Sequence, residues 1–276
     1  PAFQIEQFGL NTTLFYDFHR FRTLSLRHSL TRNLQLDTED ALDGSFYNKS
    51  ILNLSGTFGQ ADDYFNPSDG FLIQPYLELA GQVLASDVNY LKGGIEASWY
   101  QPVGEEIGTA VRLFIGQLEP LERVRGPVDS VRFRDIRFYA GGPADVRGWG
   151  AQLLGPKRQA EDGSQYVPIG GRSKLSGNLE LRLPFPGLSD SWGTTAFVDF
   201  GQVREHGPSL DPGAFRYGAG AGLRYQTPVG PFRLDLAYKL NPSPFDVRPP
   251  VPPGTPLPEP TFLRRTALYL TIGNPF

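Results

Sequence analysis

The residues of this sequence best suited to chemistry are an arginine and two carboxylates, Arg147, Glu180 and Asp199. Arg147 lies in a long segment without regular alternation, whereas each carboxylate lies on the polar face of an alternating stretch. A guanidinium presents five N–H donors in a planar fork, so it can bridge two carboxylates. The residues alone leave two interpretations open: Arg147 forms a shielded ion pair with these carboxylates, or it is a solvated loop charge.

The composition argues against most catalytic and metal-binding classes. The chain has no cysteine, and its histidines, His19, His28 and His206, lack the spacing of metal ligands. Neither a G-x-S-x-G elbow nor a P-loop occurs, and Gly218 to Gly222 lacks the spacing of a dinucleotide loop. The net charge of −3 does not indicate the excess of basic residues that nucleic-acid binding requires. We predict a protein that is not an enzyme and has no cofactor, no metal and no nucleic-acid partner.

Strict alternation of apolar and polar residues runs along most of the chain. From Phe232 to Leu240 every even position is large and apolar, and the odd positions carry Arg, Asp, Ala and Lys. Only a β-strand separates such sets onto two faces. The alternating stretches, which make the predicted fold class all-β, are 8–18, 22–35, 50–59, 71–81, 89–101, 109–118, 175–185, 194–203, 217–226, 231–240 and 265–276.

Strand length and loop rhythm distinguish a membrane barrel from a soluble sandwich. Most stretches are about ten residues long, which suits a tilted strand that crosses a bilayer. Their polar faces mix Gly, Tyr and Ser, whereas a solvent face would be rich in Lys, Glu and Thr. Short turns alternate with mostly long loops, as in outer-membrane barrels. We therefore predict a transmembrane antiparallel β-barrel, with a soluble β-sandwich as the alternative.

A motif in the longest loop, 119–174, makes this interpretation more specific. An aromatic-x-Gly-Gly stretch precedes Val-Arg-Gly-aromatic, which resembles the sixth extracellular loop of the BamA/TamA outer-membrane assembly superfamily. The motif residues are Gly141, Gly142, Val146, Arg147, Gly148 and Trp149. Trp149 stands where phenylalanine or tyrosine is more familiar. The resemblance implies that the loop folds into the barrel lumen, which favours pairing of Arg147 with Glu180 and Asp199 over a solvated charge.

Three further stretches resemble the same superfamily and occur in the same order. Asn66–Gly70 resembles its N-P-T-x-G turn, and Gln226–Asp235 resembles a periplasmic turn with the penultimate strand. The strand motif F-x-D-x-G is matched by Phe197, Asp199 and Gly201. Together the matches extend from about residue 50 to Phe276, and their combination is more specific than any one of them.

The resemblance also implies how the chain is organised. It implies a barrel of 16 strands preceded by periplasmic POTRA domains, so residues 1–276 would be a C-terminal barrel domain with about the last 11 strands. The chain begins at Pro1 without an initiator methionine, and its strand number is odd, so we expect the first strands and the POTRA domains to be absent. The domain would be integral to the bacterial outer membrane, with extracellular long loops and a periplasmic C-terminus.

The function implied by the resemblance is insertion or translocation of outer-membrane proteins. A weakly paired seam between the first and last strands would open and offer backbone groups to an incoming strand. The seam and terminal-signal residues are Leu270, Ile272, Gly273 and Phe276. Expected partners are outer-membrane lipid, unfolded outer-membrane protein clients and periplasmic accessory proteins that bind through POTRA domains.

Two other functions are compatible with the same barrel. A two-partner-secretion translocator of the same superfamily would export one dedicated protein through the lumen, and an N-terminal plug helix with two POTRA domains would mark it. A passive porin-like barrel would conduct steadily whether or not the long loop is present. BamA-like and TamA-like roles both stay open at this stage.

Overall fold

The computed structural model describes most of the chain, and the fold is an antiparallel sheet. The described residues are 5–35, 46–63, 66–81, 84–104, 106–121, 134–160, 163, 165–189, 191–207, 211–228, 230–251, 255–256 and 258–273. Within these ranges eleven strands form one sheet, and two shorter strands form a separate hairpin. Each strand of the large sheet pairs with the next one along the chain, except that β6 pairs with β9 across the longest loop.

The strands alternate between short turns at one end of the sheet and longer loops at the other. Their bounds are β1 (Ile5–His19), β2 (Arg22–Gln35), β3 (Phe46–Ala61), β4 (Gly70–Ala80), β5 (Tyr90–Val103), β6 (Ile107–Pro120), β7 (Lys157–Gln159), β8 (Tyr166–Pro168), β9 (Ser173–Pro184), β10 (Trp192–Arg204), β11 (Arg216–Tyr225), β12 (Phe232–Lys239) and β13 (Thr266–Ile272). Each stretch predicted from alternation corresponds to a strand of the large sheet, so this prediction is confirmed.

The elements that alternation did not predict are short and lie in the long loops. The hairpin of β7 and β8 belongs to the loop between β6 and β9. The helices α1 (Pro244–Val247) and α2 (Phe262–Arg265) belong to the loop between β12 and β13. Among the described residues, no helix has the length and apolar character needed to cross a membrane.

The two faces of the sheet are inverted relative to those of a soluble protein. On β12 the outward Leu236 is 56% exposed, whereas the inward Arg233, Asp235 and Ala237 are each 1% exposed. Exposed leucines and buried charges are unfavourable for a sheet that faces water, because lysine, glutamate, arginine and aspartate are almost never fully buried unless they are paired. The same arrangement suits a wall whose outer face contacts lipid and whose inner face lines a polar lumen.

Aromatic pairs lie at both ends of the outer face. At the short-turn end the rings of Trp192 and Tyr225 are 4.9 Å apart, and at the long-loop end those of Tyr238 and Phe262 are 5.9 Å apart. Aromatic residues at these levels form the interfacial girdles of membrane barrels. The presence of aromatic pairs at both ends of the strands thus agrees with strands that span a bilayer.

The sheet curls so that strands far apart in sequence come into contact. The turn between β3 and β4 reaches β9, where Arg182 Nη1 donates to the Pro67 carbonyl oxygen at 2.7 Å. Asn66 Nδ2 of the same turn donates to Gln226 Oε1, which follows β11, at 3.3 Å. In the part of the chain that the structure describes, β1 and β13 are not paired with each other, so the curled sheet has two open edges.

We predict that the outer face tolerates charge poorly. Leu236→Arg should lower the free energy of unfolding by about 2–4 kcal/mol, because it places a guanidinium against lipid near the bilayer midplane. The inward Ala237→Ser is the matched control on the neighbouring position and should cost much less. A refolding titration of the complete barrel in lipid bilayers measures both, and equal effects would contradict the face assignment.

Candidate functional site

The loop between β6 and β9 is anchored to the inner face of the sheet at its first half. Ile136 and Phe138 pack against Val88, Tyr90 and Leu118 in one buried apolar cluster. In the same region the Lys49 ammonium of β3 forms an ion pair with the Asp135 carboxylate. These contacts turn the loop inward, toward the lumen.

The Gly-Gly part of the loop motif makes a tight turn that presents Arg147. Gly141 and Gly142 have φ values of 101° and 111°, a region that other residues rarely adopt. The Gly142 N–H donates to the Trp149 carbonyl oxygen at 2.9 Å, and the Gly141 N–H donates to Asp145 Oδ2 at 2.9 Å. The motif is therefore a closed turn, and Arg147 lies inside it.

Arg147 makes a bidentate contact with Asp199 of β10. Its Nε donates to Asp199 Oδ2 at 2.7 Å and its Nη2 donates to Asp199 Oδ1 at 2.8 Å. The backbone N–H of Arg147 also donates to Asp199 Oδ2, at 2.9 Å. Both residues are fully buried. A planar guanidinium matches the geometry of a carboxylate in this way, and an ammonium does not.

The remaining side of the guanidinium faces two more carboxylates. Arg147 Nη1 lies 3.0 Å from Glu180 Oε2 of β9 and 3.4 Å from Asp235 Oδ2 of β12. Glu180 also accepts from Arg182 at 3.0 Å and Arg233 at 3.0 Å. The structure thus brings together the residues predicted as partners, and it adds Asp235 and further arginines that the sequence analysis did not assign to the site.

The cluster of buried charges is called here the lumen ion cluster. Its members among the described residues are Arg147, Glu180, Arg182, Asp199, Arg224, Arg233 and Asp235. The alternation from Phe232 to Leu240 already puts Arg233 and Asp235 on the polar face of their strand. Alternation does not give the register between neighbouring strands. The register determines which inward side chains contact each other.

Each residue of the F-x-D-x-G strand motif contacts the loop motif. The Phe197 ring lies under the Arg147 guanidinium, with 3.4 Å between the ring centroid and Cζ. Asp199 accepts the guanidinium fork. A Cβ added at Gly201 would lie 2.7 Å from Val146 Cγ2, so the absence of a side chain there leaves room for the loop. The strand motif therefore forms the part of the barrel wall on which the loop motif packs.

The glycines of β11 let the loop backbone touch the wall. A Cβ added at Gly218 would lie 2.2 Å from the Arg147 carbonyl oxygen, closer than real Cβ contacts allow. A Cβ at Gly220 would lie 2.4 Å from the Phe197 ring. The glycine repeat in Gly218–Gly222 thus makes space for the loop and the stacked ring.

Two of the residues predicted at the seam, Leu270 and Ile272, lie on the terminal strand, β13, and neither belongs to the lumen ion cluster. Leu270 and Ile272 point outward and are 77% and 66% exposed. Gly273 follows the strand with φ 91°, and its N–H donates to the Pro231 carbonyl oxygen at 2.8 Å. Phe276, predicted as a terminal signal, lies outside the described residues.

An ion pair joins the long loop to the loop that precedes the terminal strand. The Lys157 ammonium of β7 pairs with the Asp246 carboxylate of α1, and the rings of Tyr166 and Phe245 pack beside them 5.2 Å apart. Burial alone would raise the pKa of the Asp246 carboxyl. The charge and hydrogen bond of Lys157, together with hydrogen bonds from Ser243, outweigh burial and hold that pKa below its ordinary value.

Comparison with known proteins places this architecture in a family. The model of the Omp85 superfamily domain matches residues 2–262. The chain belongs to the Omp85 superfamily. In an alignment of 238 positions that covers 75% of the chain, it is 27% identical to the outer membrane protein assembly factor BamA of Neisseria meningitidis, of which it covers 28%. In an alignment of 207 positions that covers 69% of the chain, it is 28% identical to the sorting and assembly machinery component 50 homolog A of Xenopus laevis, of which it covers 41%.

A solved structure agrees with the Omp85 fold. BamA from Haemophilus ducreyi lacking POTRA domains 1–3 superimposes with a TM-score of 0.72 at 20% sequence identity. The match covers 87% of this chain and 52% of that one. The predicted transmembrane β-barrel fold is thereby confirmed, and the chain spans about half or less of the length of these relatives.

We predict that the buried Arg147 pair contributes far more stability than an exposed one. Arg147→Ala should lower the free energy of unfolding by roughly 3–5 kcal/mol, because it leaves buried carboxylates without their partner. Arg147→Lys should recover little of this, and a double-mutant cycle with Asp199→Asn should give a coupling above ~1 kcal/mol. Denaturant titration of the complete barrel in bilayers measures these values.

The matched control for Arg147 is the exposed pair of Arg204 and Asp211, whose charged nitrogen and oxygen lie 2.9 Å apart. Arg204→Ala should cost only ~0–1 kcal/mol, because solvent screens that pair. Additive effects of Arg147→Ala and Asp199→Asn, or equal costs at Arg147 and Arg204, would refute the shielded ion pair.

We also predict the pH dependence of the Lys157–Asp246 contact. Because the pKa of Asp246 is lower in the folded protein, its contribution is complete above the ordinary aspartate pKa of about 4 and is lost as the pH falls through the lowered value. Limited proteolysis of the long loop should therefore be unchanged between pH 7 and 5 and should increase only below about pH 4.

The control for this pH experiment is Asp246→Asn. This variant lacks the titrating carboxylate, so its long loop should be cleaved faster at neutral pH, with little further increase in acid. Release of the wild-type loop between pH 7 and 5 would contradict the assignment.

Proposed function

We propose that this chain is the membrane-embedded barrel part of an outer-membrane protein insertion or translocation factor. The observation that carries the proposal is the joining of the loop motif to the strand motif inside an Omp85 barrel wall, through the bidentate Arg147–Asp199 contact. BamA of Neisseria meningitidis, an assembly factor by name, and the sorting and assembly machinery component of Xenopus laevis are relatives over most of the chain. Their names support an assembly role rather than an enzymatic one.

The mechanism that we propose is strand addition at the terminal strand, β13. Within the described residues β13 pairs with β12 only, so its other edge carries unpaired N–H and C=O groups. In lipid each unsatisfied group costs several kcal/mol, so such an edge attracts another strand. An unfolded outer-membrane client would satisfy it by β-augmentation. Outer-membrane lipid contacts the outward Leu270 and Ile272 throughout.

We further propose that the sheet is part of a 16-stranded barrel with POTRA domains that bind periplasmic accessory proteins. The open edge of β1, opposite β13, supports this, since a lipid-facing edge needs a partner. The proposed orientation has the long loops outside the cell and the C-terminus in the periplasm.

A passive porin is less well supported. The loop motif fills part of the lumen, with Trp149 and Val146 at 1% and 0% exposure. A loop held by buried ion pairs obstructs steady conduction, whereas an assembly factor needs no permanently open pore.

We predict that a client strand contacts the edge of β13. The chain has no cysteine, so single cysteines report on one position each. Leu270→Cys in the complete protein should form a disulfide with a client barrel protein that carries cysteines along one edge strand. Non-reducing electrophoresis after mild oxidation in cells measures the yield.

The matched control for Leu270→Cys is Leu223→Cys. Leu223 of β11 pairs in register with Leu234, which pairs with Leu270, so the two leucines lie at the same depth on the outer face. Leu223→Cys should give little cross-linking because β11 is paired on both sides. Equal yields at the two positions, or none at Leu270→Cys, would overturn strand addition at β13.

A further inference from the structure

The terminal strand β13 carries an inward tyrosine that touches the loop motif. Tyr269 lies between Leu268 and Leu270, which point outward and are 67% and 77% exposed. Its hydroxyl accepts a hydrogen bond from the Gly148 N–H at 2.9 Å and donates one to the Trp149 carbonyl oxygen at 2.8 Å. One phenol thus uses both of its hydrogen-bonding functions on the backbone next to Arg147.

The backbone groups that Tyr269 binds are buried, and the closed turn of the loop motif fixes their positions. Trp149 is 1% exposed, and its carbonyl oxygen also accepts from the Gly142 N–H. Gly148 has φ 106°, a conformation that favours glycine. Loss of the hydroxyl would leave the Gly148 N–H without this acceptor, an unfavourable outcome for a buried donor.

The other attachments of β13 are few in the part of the chain that the structure describes. Its ladder with β12 runs from Phe232–Ile272 to Tyr238–Thr266, and its far edge has no partner there. Just before the strand, Lys239 Nζ donates to the Arg264 carbonyl oxygen at 2.6 Å. The Tyr269 hydroxyl is therefore the side-chain group that ties the inner face of the strand to the loop.

We propose that Tyr269 is a positioning residue through which the ion-paired loop holds the terminal strand in place. The proposal rests on the proposed function, since it concerns the strand that would receive a client. The connection runs from Asp199 through Arg147 to the backbone of Gly148 and Trp149, and from there to Tyr269. Separation of β13 from the loop must break both hydrogen bonds of this phenol, so the loop controls how readily the strand moves.

Hydrogen exchange of the complete protein in lipid nanodiscs tests this connection. Tyr269→Phe removes only the hydroxyl and keeps the ring. We expect backbone amides of 266–273 and of 141–150 to exchange faster, by roughly tenfold for the loss of hydrogen bonds to one group, while β9 and β10 stay unchanged. Tyr225→Phe, at an outward tyrosine of β11, is the matched control and should leave both segments unchanged.

A second variant distinguishes two roles of Tyr269: a link between the loop and β13, and a purely local contribution to the stability of the strand. Arg147→Lys weakens the loop attachment and should speed exchange in both segments when Tyr269 is present. In the Tyr269→Phe background it should still loosen 141–150 but add little to the exchange of 266–273, because the link between them is already broken. Fully additive acceleration of 266–273, or unchanged exchange in either segment after Tyr269→Phe, would overturn the proposal.

Failure of this inference can be distinguished from failure of the proposed function. The cross-link yield of Leu270→Cys with a client should rise in the Tyr269→Phe background, since a freed strand accepts a partner more readily. If exchange of 266–273 rises but the yield does not change, the connection holds and the proposed client-receiving role of β13 is wrong. If exchange does not change, the positioning role is wrong whatever the yield.

Discussion

The buried charge of Arg147 is the interaction on which the inner architecture depends. A guanidinium removed from water is strongly unfavourable unless carboxylates and hydrogen bonds replace its hydration. The loop must therefore bring Arg147 to a place where Asp199, Glu180 and Asp235 all lie within reach. Those carboxylates come from β10, β9 and β12, so their strands must keep one register relative to each other. A single loop residue thereby constrains several neighbouring strands.

The same constraint explains where small residues occur on the lumen face. Arg147 can reach Asp199 with its own backbone N–H only if the loop lies directly on the wall. That approach requires the absence of a side chain at Gly218, under the Arg147 carbonyl oxygen, and at Gly201, beside Val146. Glycines weaken a strand because they lose more entropy on folding and pack no side chain. Here the ion cluster and the stacked Phe197 ring offset that cost.

The features that could be predicted from the sequence are those that depend on one strand at a time. Alternation reports which residues of a strand share a face, so the strands of the large sheet and the inward phase of Glu180 and Asp199 could be predicted. It does not report register, so the contacts of Asp235 and Arg233 with Glu180 and Arg147 could not. The hairpin of β7 and β8 was missed because strands of three residues carry too few positions to show a period.

Tyr269 shows the same limit at the level of a single residue. Its inward phase follows from the outward Leu268 and Leu270, but its partners are backbone groups, which no residue pattern encodes. The loop motif predicted that its arginine, Arg147, pairs with carboxylates. It did not suggest that the peptide groups beside that arginine would hold a different strand.

The long loop supplies connections beyond the backbone ladder of the sheet. In that ladder each strand forms hydrogen bonds only with its immediate neighbours, so the ladder alone does not link distant strands directly. The loop contacts strands that are not neighbours in the sheet. Asp135 contacts Lys49 of β3, and Arg147 contacts residues of β9, β10 and β12. The backbone that follows Arg147 contacts Tyr269 of β13. These charges are largely buried, and they pair with one another on the inner side of the sheet. Their chemistry is therefore positional. Among the described residues, the loop contacts the lumen side of the terminal strand, the outer side of that strand is apolar, and its far edge has no partner strand. This arrangement fits the function that we propose.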